Sequence, residues 1–169
     1  MSSRTLSVEG PYEVPFSLNP KGSKHVSTED GRSFWDDYDG LGEERGCYLF
    51  GIRSGPGLRA GYVGKATKSF RQEAFTADKL QKYNTALHEW SHGTPVLMFV
   101  ITPPRVTSAK LITDVEEYLI RSAKRAWPEL LNKHHAGADD WDISGVTAPH
   151  KGRRSDAELA LLRMLKLEE

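Results

Sequence analysis

The chain has 169 residues, of which 38% are hydrophobic and 27% charged, with 23 basic and 23 acidic side chains. That length suffices for one domain with a real core, and no apolar run is long enough to span a bilayer. The zero net charge does not advertise a nucleic-acid binder, yet residues 1–45 carry a balance of −4 and residues 46–100 one of +4, and a local basic face can still hold phosphate.

In chain order, residues 1–7 lack the apolar core of a signal peptide. Residues 1–45 are rich in Gly, Pro, Ser and Asp and read as an N-terminal extension, partly irregular, with a short edge strand near Tyr12 to Phe16. Phe34 and Trp35 are expected to pack on the domain. Gly46 to Arg53 is almost wholly apolar, as in a strand covered on both faces. Ser54 to Gly57 is a turn, and Arg59 to Gly64 a second strand, so the pair forms a hairpin. The single cysteine, Cys47, cannot form an internal disulfide, and a reducing, cytoplasmic setting is expected.

Lys65 to Trp90 is predicted to be helical, in two pieces broken near Thr76. Gly93 and Pro95 end it. Pro95 to Thr102 is a third, buried strand. Ser108 to Trp127 is a strong helix stopped by Pro128, residues 133–154 read as loop anchored by Trp141 and Ile143, and Ser155 to Leu167 is a last helix. Ser155 and Glu158 form its capping box, and Leu159, Leu162 and Leu165 its apolar stripe. The expected fold is therefore α+β: a small three-stranded, mostly antiparallel sheet flanked by helices.

One residue stands out on the helix over 112–127. At about 100° per residue, Ile112, Val115, Leu119, Ile120, Ala123, Ala126 and Trp127 gather on one side. Glu116 falls among them. A carboxylate facing a core is costly unless it is paired or binds a metal, so Glu116 is a candidate site residue. A capping box starting at Thr113 would explain the same residue with no function.

The ordered motifs Gly46-Cys47-Tyr48 and Tyr62-Val63-Gly64, then Arg71 on the following helix, Glu116 on a later one and Asn132 after a proline turn, resemble the GIY-YIG nuclease superfamily. The likeness spans about residues 46–135, with residues 136–169 as a loop and a C-terminal helix packed on the same domain. It implies a divalent-metal-dependent endonuclease acting on nucleic acid, DNA ahead of RNA. Glu116 would hold Mg²⁺ or Mn²⁺, Tyr48 would be general base or water-positioning group, Tyr62 would support it and Arg71 would contact the scissile phosphate. Gly64, Lys65 and Asn132 would serve the substrate. Taken singly, each position also has a plain packing or solvation explanation. Many members carry a histidine four residues after the arginine, where this chain has Phe75. That departure supports an alternative, a non-catalytic module of the same fold that binds nucleic acid or protein. No separate DNA-binding domain is evident, so the chain is expected to act alone, as a homo-oligomer or with a protein partner, away from membranes. An acidic N-terminal arm lying over a basic cleft is one way to inhibit such a site. The His134-His135 pair reads as solvated rather than metal-binding.

Overall fold

The computed structural model describes residues 4–106, 108–132, 141–148 and 152–167, so His134 and His135 lie outside the described residues. In chain order the elements are β1 (Arg4–Glu13), β2 (Ser17–Leu18), β3 (Lys24–His25), α1 (Thr28–Asp37), α2 (Asp39–Gly42), β4 (Gly46–Ser54), β5 (Gly57–Ala66), α3 (Phe70–Glu73), α4 (Ala77–Glu89), β6 (Thr94–Ile101), α5 (Ala109–Ala126), β7 (Trp141–Ile143) and α6 (Asp156–Met164).

The class is α+β, but the sheet has five strands, in the order β5-β4-β6-β1-β7, rather than the expected three. The hairpin and β6 form one side of it. The two additional strands come from outside the region of resemblance. β1 pairs antiparallel with β6 and parallel with β7, so residues 4–13 are an interior strand rather than an arm. Its signal was faint because only Leu6 and Val8 alternate inward before Gly10 and Pro11.

Helices cover both faces. Alternate residues of each strand point to opposite sides. On one side Cys47, Leu49, Val63, Met98 and Val100 meet Ile112, Val115 and Leu119 of α5 and Leu161 and Met164 of α6. On the other, Tyr48, Phe50, Tyr62, Leu97 and Phe99 meet Phe34 and Trp35 of α1, Phe70 of α3 and Tyr83 and Leu87 of α4. α1 replaces an expected loop. It starts on a reciprocal capping box between Ser27 and Asp30, which satisfies two exposed backbone donors. β5 runs on to Ala66, so the helical stretch begins at Phe70 and breaks before Ala77. α6 has the expected capping box, and of its expected stripe Leu162 and Leu165 are buried, together with Ala160, Leu161 and Met164, while Leu159 is half-buried. No helix among the described residues is long and apolar enough to cross a membrane.

β5 is an edge strand, and such edges invite unwanted pairing unless covered. Here the Asn132 side chain covers it. Its Oδ1 accepts from Val63 N at 2.8 Å and its Nδ2 donates to Val63 O at 2.6 Å, while Leu131 N donates to Gly61 O. Asn84 on α4 treats Val26 in the same way. Asn132→Ala strips both bonds at once and should lower stability by about 2 kcal/mol, read as an earlier urea midpoint at unchanged slope.

Candidate active site

The hairpin register sets Tyr48 opposite Gly64 on one side and Phe99 on the other. A methyl group on residue 64 would lie 2.2 Å from Tyr48 Cζ and 2.3 Å from its Oη. The phenol ring therefore lies across Gly64, and glycine is what lets it. Tyr48 is fully buried, and its hydroxyl donates to the Glu73 carbonyl at 3.4 Å. Burial pushes this phenol far above the ordinary tyrosine range. The neighbouring Tyr83 and Tyr62 phenols and then the Glu73 and Glu116 carboxylates push the same way. Tyr48 thus stays protonated at physiological pH. Of the two roles the resemblance implies, this favours positioning over proton abstraction.

Tyr62 packs beside it, ring centres 6.5 Å apart. Lys79 Nζ donates to Tyr62 Oη at 2.9 Å, and Lys82 Nζ lies 5.6 Å from the Tyr62 ring centre. Burial acts to deprotonate Lys79, but the Tyr62 hydrogen bond and the Asp78 charge outweigh it and hold the ammonium charged. Sequence reasoning did not select Lys79 or Lys82. Neither belongs to a motif, and only the docking of α4 on β5 brings them to Tyr62.

Arg71 sits on α3, beside the Glu73 carbonyl that receives Tyr48. Its guanidinium is clasped from α2 and the residue after it. Nη2 donates to Asp39 Oδ1 at 2.5 Å and to the Asp39 carbonyl at 3.0 Å, and Nε donates to Glu43 Oε1 at 3.0 Å. The hydrogen bond to Asp39 is the largest of the effects that raise this already high pKa. Gly42 lies against the guanidinium, where a methyl group would come 2.9 Å from Nη2. The acidic segment thus reaches Arg71. Its sequence signal was the −4 balance of residues 1–45, which named the segment but not the partner. Phe75 is a packing residue here, with its ring against Phe34, Trp35 and Tyr83.

Glu116 is on α5, across the sheet from the tyrosines. α5 begins at Ala109, with Ser108 as the cap that accepts from Leu111 N, so Glu116 lies well inside the helix and no capping box starts at Thr113. Its side chain is 17% exposed, and Lys65 Nζ approaches Oε2 to 3.5 Å. Lys65 also donates to Thr113 Oγ1 at 3.1 Å, and its own side chain is 40% exposed. The charge of Glu116 is felt on the other side of the sheet, where it adds to the upward push on Tyr48. It also acts on Cys47, whose thiol burial pushes far up and whose Sγ donates to the Ile112 carbonyl. No group of three or more His, Cys, Asp or Glu side chains gathers among the described residues. A single carboxylate of this kind suits a hard ion that takes its remaining oxygens from water and substrate phosphate.

The predicted set therefore falls into four groups. Tyr48, Tyr62 and Gly64 are in contact at the β5 edge. Lys65 and Glu116 form a pair on the opposite face. Arg71 is close to the tyrosines but occupied by acidic partners. Asn132 stands apart, with both amide atoms bonded to the backbone of Val63. Family models, curated proteins and solved structures were each compared with the chain, and none matches it.

Proposed function

We propose that this protein is a divalent-metal-dependent endonuclease of GIY-YIG type that hydrolyses phosphodiester bonds, DNA ahead of RNA. The observation that carries the reading is Glu116. It is a carboxylate on the apolar side of α5, held beside Lys65 at the end of the hairpin that carries both motif tyrosines. Glu116 would hold Mg²⁺ or Mn²⁺. Bound there, the ion would supply charge neutralisation at the phosphate and would make a nearby water more acidic. Lys65 would neutralise phosphate oxygens beside Glu116, and Arg71, on the tyrosine side of the sheet, would offer its planar guanidinium for a two-pronged phosphate contact. Tyr48, kept protonated, donates to the Glu73 carbonyl and so steadies α3, which carries Arg71, and Tyr62 with Lys79 lines the same face of the sheet. The buried lone thiol of Cys47 supports a reducing, cytoplasmic setting.

The test is cleavage of supercoiled plasmid and single-stranded oligonucleotides with Mg²⁺, Mn²⁺ or EDTA. Nicking that appears with metal and vanishes with EDTA supports the enzyme. A folded protein that binds the same oligonucleotides yet cuts none of them supports the second reading, a binding module of the same fold. That reading is favoured by the sealing of Tyr48 and by Phe75 standing where many members have histidine.

Arg71 also makes a prediction. Substrate phosphate must compete with Asp39 and Glu43 for the guanidinium. The double variant Asp39→Asn, Glu43→Gln should tighten oligonucleotide binding several-fold at low salt, with the gain shrinking as salt rises, as measured by fluorescence anisotropy. Point variants are the right tool. Deleting residues 1–40 would remove β1 from the interior of the sheet.

A further inference from the structure

Lys65 and Glu116 stand in a relation that the proposed reaction does not by itself require. The Lys65 ammonium lies 3.5 Å from Glu116 Oε2 and donates to Thr113 Oγ1 at 3.1 Å. Thr113 and Glu116 are three residues apart on α5, so they share one helix face and hold the ammonium together. A divalent ion at Glu116 would have this positive charge as its neighbour. The two cations repel, and they compete for one carboxylate. Lys65 is also able to leave. It projects from the C-terminal end of edge strand β5, its side chain is 40% exposed, and its stem is flexible. The alternative acceptor that suits an ammonium best in a nuclease site is a phosphate oxygen.

We propose that Lys65 is a resident counter-ion of Glu116 and couples the two ligands of the site: phosphodiester binding draws Lys65 off Glu116, and the carboxylate then takes the divalent ion. The inference rests on Glu116 being the metal ligand. It makes Lys65 a positioning residue toward the ion, and it makes metal and nucleic acid bind with positive cooperativity that is equal in both directions. The protein alone would hold Mg²⁺ weakly, and the site would be completed only on substrate.

The experiment follows Mn²⁺ binding to the full chain by the loss of the free-ion electron paramagnetic resonance signal. The probe is a short phosphorothioate oligothymidylate, which resists cleavage. Glu116→Gln with the same oligonucleotide supplies the baseline for Mn²⁺ held by the nucleic acid itself. In the wild type the oligonucleotide should tighten Mn²⁺ binding about tenfold above that baseline, a size ordinary for linked sites. Lys65→Met should bind Mn²⁺ more tightly than wild type without oligonucleotide, and the oligonucleotide should no longer shift it. A wild type that shows no shift, or a Lys65→Met variant that keeps the full shift, overturns the coupling while leaving Glu116 as ligand. Equal Mn²⁺ binding by Glu116→Gln and wild type, with and without oligonucleotide, removes the metal-ligand reading itself and the coupling with it.

Discussion

Glu116→Gln is expected to lower metal-dependent cleavage about a thousandfold, the effect of losing several kcal/mol of transition-state charge stabilisation. Glutamine keeps the shape of the side chain and nearly all its packing against the α5 core, so folding should survive. What it removes is the negative charge that would fix a divalent ion. Glu117→Gln, one residue along and about 100° around the helix, should leave the rate near that of the wild type. Both variants belong in the plasmid assay together, with circular dichroism to confirm the fold. Equal activity in the two would end the assignment of Glu116. Lys65 complicates the result in one useful way. Once Glu116 is neutral, the ammonium loses its charged partner, keeps Thr113 and is freer to hold phosphate. Oligonucleotide affinity should therefore hold or rise slightly even as cleavage disappears.

The second large effect is on stability. Gly64→Ala places a methyl group within 2.3 Å of the Tyr48 hydroxyl oxygen and ring carbon. That ring cannot swing aside, because Tyr62 and Phe70 flank it and Tyr48 has no exposed surface. Overpacking of this kind costs about 3 kcal/mol at the upper end of ordinary cases, which for a chain of this size lowers Tm by about 6–12 °C. Gly40→Ala, where a methyl group would meet nothing within 4 Å, should change Tm little. A Gly64→Ala protein as stable as wild type would mean the Tyr48 ring does not lie across residue 64. If the variant folds at low temperature, the displaced Tyr48 should still impair cleavage there.

These expectations trace back to parts of the sequence that were unevenly legible. The hairpin and β6 could be read because runs such as Cys47 to Ile52 and Val96 to Ile101 are apolar throughout, as strands sandwiched between helices must be. Glu116 could be read because a helical wheel needs no tertiary knowledge, and the position of Ser108 as cap then removed the competing explanation. Residues 4–13 could not, since Leu6 and Val8 offer too short an alternation to distinguish a strand from an arm. α1 had a legible start in Ser27 and Asp30 that went unread among turn-forming neighbours. The partners of Arg71 and Tyr62 were beyond reach for a different reason. Asp39, Glu43 and Lys79 meet them through the docking of separate elements, and no local pattern encodes that meeting. Asn132 was expected to serve the substrate, and no local pattern encodes the two hydrogen bonds that its amide makes to the backbone of Val63 on β5.

The interior position of β1 also bears on how the chain is made. β1 leaves the ribosome about eighty residues before β6, its antiparallel partner, and longer still before β7. At about 5–20 residues per second, that is a wait of roughly 4–16 s with a strand emerged and both of its edges unpaired. The hairpin β4–β5 closes locally in the meantime, and β6 must then accept β4 on one side and the waiting β1 on the other. Such long-range closure makes for slow folding. The same tract that completes the sheet is therefore the part of the nascent chain most in need of a chaperone.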